Sequence, residues 1–474
     1  HQLPHGFTGS DAGSSVLSID ANGVATGEAV GQLMLDSSMQ DSLGKVLTRD
    51  VVVDGPVSAR LHLDIPLNGE QVSASGVATL NNNQVTVTSL DLVFANVQGD
   101  IAFDNANISL EGVTADLTDQ PVTIQLTGSQ LSDEYLLDMH LAGNWATQPL
   151  IERFNPAFNA YLSGRSNWQT DVSVSLKKDG FQYHATLNSD LHGVDSRLPL
   201  PFNKLSTDLM PLMVLADGNE QATNVSVNIG SDVRFNGVLP HAEKQFSRAH
   251  LALGDSDFVG LGVGFSISAD LEKVEVADWY KAIELLVGGF SPSSDAGQTA
   301  RKPYFSVPER IFIEAENLVV FDQTLTGVDI TAKQQNNNWL LDVSSSQAKA
   351  EVRLYDAWLE QGIDINADFI RLTEWQGKNT EETIKHNYKP ADLPPIRFHC
   401  GNCVLLDKDF GEVDVEVVRL DDGMRIKQLS AKNTYGAIQA SGAWLTQGNA
   451  ESTRIEGKVN SRDVGAFLSL MGVN

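Results

Sequence analysis

The chain has 474 residues, of which 61 are acidic and 33 are basic, and its formal net charge at pH 7 is −28. This negative charge argues against a nucleic-acid partner, whose phosphates require a basic surface, and against simple adsorption to an anionic bilayer. Hydrophobic residues make up 42% of the chain and aromatic residues only 7%. Any extended apolar surface should therefore consist mainly of Val, Leu, Ile and Ala.

Apolar and polar residues alternate along most of the chain, which predicts β-strands with one apolar and one polar face. Helical patterns occupy only short stretches. We therefore expect a mainly β protein of antiparallel strands with a few short helices, whose apolar face would line a groove if a ligand covers it. The alternating positions that are candidates for the groove lining are Leu61, Leu63, Ile65, Leu90, Leu92, Phe94, Val122, Ile124, Leu126, Val172, Val174, Leu176, Val225, Val227, Ile229, Ile363, Ile365, Val413, Val415 and Val417.

Turn-forming dipeptides between these runs predict local connections between antiparallel strands. Two asparagine runs, at residues 81–83 and 336–338, predict longer polar loops. The dipeptides expected in hairpin turns are Asn22-Gly23, Asn68-Gly69, Asp179-Gly180, Asp217-Gly218, Asn236-Gly237 and Asp422-Gly423.

Short helices are predicted to begin at Asp278, near Trp375 and at Ser461, each after a strand. Their regular spacing favours a weak internal repeat, although short capping helices are also common in unrelated sheets. We expect one continuous repetitive segment over residues 1–474, with approximate sub-units at 1–150, 151–300 and 301–474. Polar stretches at 291–298 and 377–395 are interpreted as surface loops within it.

Cys400 and Cys403 are the only cysteines, in the sequence Cys-Gly-Asn-Cys. Strand-like residues on both sides favour a hairpin and not the helix N-terminus of a thioredoxin-like redox motif. A local disulfide is the favoured interpretation if the compartment is oxidising. A zinc site completed by His399 or His386 is an alternative, but it would have only two thiolates.

Signals for catalysis are weak throughout the sequence. The histidines are scattered, and residues 260–264 resemble a nucleotide-binding loop only until Phe265, after which a strand follows. No nucleophile elbow or phosphate-binding lysine loop is present. We therefore predict no catalytic residue, no metal and no cofactor.

The apolar face must be covered, and the alternation leaves open what covers it. A lipid could do so in an open groove, or a second sheet could do so in the dry core of a β-sandwich scaffold. A hydrolase on a β-solenoid would need a carboxylate cluster that the sequence does not supply. No run approaches the roughly 18 to 20 apolar residues of a membrane span, no signal peptide is visible, and we expect the chain to be part of a longer protein.

Three segments resemble the AsmA-like family of Gram-negative envelope proteins. They are residues 196–204 (SRLPLPFNK), residues 396–414 with the cysteine pair, and residues 440–444 (ASGAW) followed by 453–459 (TRIEGKV). The resemblance extends from about Asn144 to the end of the chain.

This resemblance implies a long, curled antiparallel β-sheet that forms an open hydrophobic groove. It also implies a periplasmic bridge between the inner and outer membranes. Family members are anchored in the inner membrane by an N-terminal helix, which is absent from this segment, and their β-groove is held to conduct phospholipids. The expected partners are thus phospholipids, whose acyl chains would lie in the groove, and the two membranes, contacted through parts outside this segment. Neither a cofactor nor an enzymatic activity is implied.

Overall fold

The computed structural model describes residues 16–35, 48, 51–67, 72–154, 156–256, 261–279, 282, 304–320, 323–336, 338–372, 393–447 and 450–465. The chain folds into two units. The first unit comprises His1–Arg197, Phe202–Gly230 and Gly237–Gln245, and the second comprises Leu198–Pro201, Ser231–Asn236 and Phe246–Asn474. The sub-unit boundaries expected near residues 150 and 300 stay a prediction.

The first unit is an antiparallel ladder in which strands that follow one another along the chain are, with few exceptions, neighbours in the sheet. At its start, β4 pairs with both β2 and β3, and β3 also pairs with β1. The strands are β1 (Val16–Thr26), β2 (Val51–Asp54), β3 (Pro56–Pro66), β4 (Ser73–Val87), β5 (Leu92–Asp104), β6 (Asn107–Leu117), β7 (Gln120–Gln130), β8 (Tyr135–Ala146), β9 (Leu162–Lys177), β10 (Gly180–Ser189), β11 (Val194–Ser196), β12 (Leu212–Asn219) and β13 (Ala222–Ile229).

The strand that follows, β14 (Val233–Pro240), has residues in both units. The second unit continues with β15 (Arg248–Gly254), β16 (Gly264–Glu275), β17 (Arg310–Val320), β18 (Gln323–Gln335), β19 (Asn338–Ser344), β20 (Ala348–Tyr355), β21 (Ile363–Leu372), β22 (Ile396–Leu405), β23 (Lys408–Leu420), β24 (Gly423–Lys432), β25 (Gly436–Gln447) and β26 (Ala450–Ser461). From β15 to β26, each strand pairs with the next one along the chain.

The mainly β class is confirmed, and most strand pairs are antiparallel as expected, but the sheet is mixed. β15 and β16, β16 and β17, and β21 and β22 pair in parallel. A parallel pair needs a connection that returns the chain to the other end of the sheet. The long stretches 255–263, 276–309 and 373–395, which carry weak strand signals, are these connections.

Helices are short, as expected, and residues 464–465 are helical, close to the start predicted at Ser461. Those with both ends described are α1 (Gly27–Leu35), α2 (Thr147–Phe154) and α3 (Trp358–Gln361). Residues 276–279 are helical, close to the predicted start at Asp278, whereas the helix predicted near Trp375 lies outside the described residues. In the described part of the chain no helix is both long and apolar enough to cross a bilayer.

Two of the predicted turns are found, between β9 and β10 at Asp179 and between β23 and β24 at Asp422. The long loop predicted at 336–338 was wrong, because Gln335 of β18 is directly paired with Asn338 of β19. Asn68-Gly69 lies outside the described residues. Three other signals were wrong because they lie inside strands: Asn22-Gly23 in β1, Asp217-Gly218 in β12 and Asn236-Gly237 in β14.

The loop predicted at residues 81–83 is instead a bulge inside β4. Asn82 adopts a left-handed conformation with φ of 57°. The Asn83 side chain is 1% exposed, and its amide donates hydrogen bonds to the carbonyl oxygens of Asp54 and Pro56 at 3.0 and 3.1 Å. The asparagine run thus stabilises the bend between β2 and β3, because a buried amide compensates backbone groups that lose ladder partners there.

Candidate functional site: an apolar face in each unit

Directly opposite residues form an unbroken apolar row across ten strands of the first unit. Side chains at directly paired positions project from the same side of a sheet. In order from β3 to β13, without β11, the row is Ala59, Ala78, Ile101, Leu110, Leu126, Met139, Val172, Ala185, Ala216 and Val225. We call the surface that contains this row the apolar face of the first unit.

The second unit has an equivalent row across its twelve strands. From β15 to β26 the row is Leu251, Ile267, Ile311, Ala332, Leu341, Val352, Ile365, Phe398, Val415, Leu429, Ala440 and Gly457. This surface is the apolar face of the second unit. Each unit therefore has one side of its ladder that is apolar from strand to strand.

The ladder registers bring nearly all of the predicted lining residues onto these two faces. The exception is Leu90, which lies in a single 3₁₀ turn, Thr88–Leu90, before β5 and outside the ladder. Other apolar residues of these faces were not predicted, among them Ile101, Leu110 and Met139. In β5 and β6 the alternation is broken by bulges, so that a strict period of two could not find all of them.

Most of the predicted residues are only partly covered by the protein. Val122, Leu176 and Val413 are buried, at 2%, 5% and 8% exposure, and the remaining seventeen are half-buried. All ten residues of the row in the first unit are also half-buried. Facing sheets in a sandwich interdigitate and bury such positions. The apolar face of the first unit therefore keeps area that a ligand of matching polarity could cover.

Denser packing occurs at particular places along these faces. In the first unit, Val57, Leu80, Val97, Val113, Ala115 and Val122 form a buried cluster. Next to it, the rings of Trp145 and Trp168 meet edge to face with centroids 4.5 Å apart. Trp145 Nε1 donates to the carbonyl oxygen of Pro121 at 2.8 Å. The apolar face of the first unit is therefore packed more densely near this cluster than along the half-buried row.

Cys400 and Cys403 form a disulfide within β22, and both are fully buried. The expected hairpin location was wrong, because the pair lies in mid-strand where the register with β23 shifts. The sulfurs belong to a buried cluster that includes Ala367 and Val413. The disulfide thus spans a bulge on the apolar face of the second unit. The sequence prediction failed because strand-like residues flank a bulge and a turn alike.

The opposite side of each ladder is polar and carries repeated histidine–aspartate pairs. Nδ1 of one histidine and Oδ1 of an aspartate on a neighbouring strand are 2.7 or 2.8 Å apart in the pairs His62–Asp20, His140–Asp171, His184–Asp217 and His399–Asp414. The pKa of His62 is raised by its hydrogen bond to Asp20 and by the nearby charge of Asp64. Such exposed pairs contribute little to stability individually and keep this side hydrated.

One of these pairs has a further carboxylate beside it. Ligand-type atoms of His399, Glu412 and Asp414 all lie within 4.8 Å of one another. Glu412 lies directly opposite the basic residue Lys432 in the ladder. His399 and Asp414 are bonded to each other and are 44% and 46% exposed. The geometry is that of a surface ion pair.

His250 is the one strongly buried histidine of the described residues, at 2% exposure. Its Nδ1 lies 2.8 Å from Ser266 Oγ and its Nε2 lies 2.9 Å from Ser268 Oγ. Burial, with a smaller effect of the Arg310 charge, lowers the pKa of His250. Ser268 is 5% exposed, so this serine is not accessible to a substrate, and the group is a satisfied buried network.

A one-sided apolar ladder of half-buried aliphatic side chains defines a class of β-sheet protein suited to contact with extended apolar ligands. The sequence profile of the YhdP protein family matches residues 10–474. The chain belongs to the YhdP family.

A curated relative is the "Intermembrane phospholipid transporter YhdP" of Escherichia coli (strain K12), which is 27% identical over 475 residues. The match covers 98% of this chain and 36% of the relative, so the chain spans about a third of that protein's length. No solved structure matches the chain.

Proposed function

We propose that this chain is a segment of a periplasmic bridge that transfers phospholipids between the inner and outer membranes, with acyl chains lying on its apolar faces. The observation that carries the proposal is the ten-strand apolar row whose members are all half-buried. The name of the Escherichia coli relative, an intermembrane phospholipid transporter, supports it.

The energetics of lipid transfer explain why such a face is required. Exposing an acyl chain of about 15 methylenes to water costs on the order of 12 kcal/mol, at about 0.8 kcal/mol per methylene. A lipid that crosses an aqueous compartment therefore needs an apolar surface along its whole path. In this function the lining residues act collectively, because each covers only a few methylenes, and no residue performs covalent chemistry.

The proposed face can be tested by placing one charge on it. Leu126 lies in the ten-strand row, and its neighbour Gln125 lies on the polar side of the same strand. Leu126→Asp should reduce phospholipid transfer, because a carboxylate on the apolar face must be desolvated whenever an acyl chain passes. Gln125→Asp is the matched control and should leave transfer unchanged.

The measurements are phospholipid mass spectrometry of the purified protein and lipid transfer in cells that produce each variant in the full-length protein. Copurified phospholipids that decrease in the Leu126 variant, with both variants folded by circular dichroism, support the function. Transfer that is equal in the two variants would overturn it, and the faces would then belong to a scaffold without lipid.

A further inference from the structure

The described ends of the connection from β16 to β17 lie against the apolar face of the second unit. β16 and β17 are adjacent and parallel, so the chain that leaves the end of β16 has to return to the start of the sheet. The described parts of this connection are residues 276–279 and 282, where it leaves β16, and residues 304–309, where it returns to β17.

The departing end packs on the apolar face beyond β16. Val276 and Trp279 contact a buried cluster made by β16, β17 and β18, which includes Val274, Leu318 and Val328. Val328 lies directly opposite Ala315, on the side of the ladder that carries Ile311 and Ile313. The helical start of the connection is therefore on the same side as the apolar row.

The returning end, which we call the strap (residues 304–309), is held at both ends by backbone hydrogen bonds. Phe246 N donates to the carbonyl oxygen of Tyr304 at 2.9 Å, and Glu309 N donates to the carbonyl oxygen of Phe265 at 2.8 Å. Between these two attachments, the side chain of Phe305 lies on the apolar face, against Phe265, which precedes Ile267 of the row by two residues.

Phe305 is the central ring of a four-phenylalanine cluster. Its centroid lies 5.0 Å from that of Phe246, 5.5 Å from Phe265 and 5.6 Å from Phe235. All four side chains are only half-buried. The strap thus places an aromatic side chain on the apolar face of the second unit.

We propose that Phe305 is a gating residue of the apolar face, which a phospholipid acyl chain must displace to reach Ile267 and the strands beyond it. This inference rests on the proposed function. An acyl chain and a phenyl ring are both apolar, so that replacing one with the other keeps the area removed from water nearly constant. Displacement is then possible without the free-energy cost of exposing the other three rings.

Such a gate slows the passage of lipid and selects between acyl chains. An acyl chain that fills the space of the Phe305 ring poorly leaves the other three rings incompletely covered. Removal of the Phe305 ring should therefore increase access of lipid to Ile267. A purely structural ring would have the opposite effect, since its loss would loosen the cluster and reduce lipid binding.

The test uses a photo-crosslinking amino acid, p-benzoylphenylalanine, in the full-length protein produced in cells whose phospholipids carry radioactive phosphate. It is placed at Ile267, behind the gate, or at Ile124, on the apolar face of the first unit. Each position is combined with native Phe305, Phe305→Ala or Phe305→Leu. Phe312→Ala is the matched control, because Phe312 is a phenylalanine of β17 that lies on the side opposite to Ile311 and the apolar face.

We expect labelling at Ile267 to rise severalfold in Phe305→Ala, to rise less in Phe305→Leu, and to stay unchanged in Phe312→Ala. The gate would be overturned if labelling at Ile124 were strong and labelling at Ile267 were the same in all residue-305 variants. The proposed function would then remain intact. Absence of lipid label at Ile124 would overturn both. Phe305→Leu keeps an apolar side chain, so the test remains decisive if Phe305→Ala fails to fold.

Discussion

The ammonium of Lys244 lies 2.8 Å from the carboxylate of Asp91, although 153 residues separate them in the sequence. Asp91 immediately precedes β5, and Lys244 follows β14, with the ladder from β5 to β13 between them. Both residues belong to the first unit. The contact is possible only because this ladder curls strongly, which brings distant strand ends together.

Charge reversal at Lys244 should change stability only slightly. The two side chains are 64% and 77% exposed, and exposed ion pairs are worth about 0–1 kcal/mol. We expect Lys244→Glu to lower the free energy of unfolding by no more than about 1 kcal/mol, and adding Asp91→Lys to restore it. Urea unfolding at low and high salt measures both. If the free energy of unfolding stayed low in the double variant, the loss would not come from the attraction between these two charges.

The His62 imidazole should titrate above its ordinary pKa of 6.5. Its hydrogen bond to Asp20 is the main cause, followed by the charge of Asp64. A raised pKa gives stability that is fully present below pH 6.5 and is lost as the pH rises through the folded pKa. NMR titration should show this shift, and Asp20→Asn should move the pKa back toward 6.5. An unchanged pKa in that variant would exclude the pair as its cause.

His250 should behave in the opposite way. Burial lowers its pKa, so in the folded state it stays neutral while the unfolded chain takes up a proton. Its contribution therefore falls as the pH decreases from 6.5 toward the folded pKa. We expect His250→Gln to reduce this acid sensitivity of the unfolding free energy, measured between pH 7 and pH 5. An equal acid sensitivity in the variant and in the native protein would contradict this role of His250.

Reduction of the Cys400–Cys403 disulfide should destabilise the second unit without unfolding it. Closing so short a loop is worth about 2 kcal/mol in the chain-entropy description. We expect a loss of this size on adding reductant, measured by urea unfolding. The variant with both cysteines changed to alanine should be insensitive to reductant. A loss of secondary structure on reduction would contradict a merely local role for the bulge.

Gly254 and Gly112 have nearly the same left-handed φ, 65° and 68°, and differ in the space around them. A Cβ on Gly254 would collide with the carbonyl oxygen of Asp270, whereas one on Gly112 meets no atom within 4 Å. Gly112→Ala should cost about 1–2 kcal/mol from backbone strain alone. Gly254→Ala should cost more, because β16 must also move. Equal losses in urea unfolding would refute this spatial explanation.

Strand positions and facing could be predicted where alternation is regular. In β7 and β9, the predicted Val122, Ile124, Val172 and Val174 all lie on the apolar face of the first unit. Periodicity predicts the facing of these residues correctly because side chains alternate regularly along a strand without bulges, whichever strands lie beside it. The resemblance identified through residues 196–204 and 396–414 was also confirmed by the family match.

The failures have a common physical origin in contacts between strands. The sequence predicts Gly218 in a turn, yet it lies opposite Tyr183 in the ladder, where the ring occupies the space that a Cβ would need. Asp217, its neighbour, pairs instead with His184. Parallel pairing and the strap were beyond prediction for the same reason, since neither Phe305 nor Phe265 has a local pattern that indicates its partner.

The apolar row of the first unit also bears on kinetics. Successive strands of the row offer the same kind of aliphatic contact at intervals of about 4.8 Å, so in the proposed function neighbouring row positions would hold an acyl chain about equally tightly. Lipid movement along the row would then be a random walk of many small steps, whose net direction comes from a difference in lipid supply between its two ends.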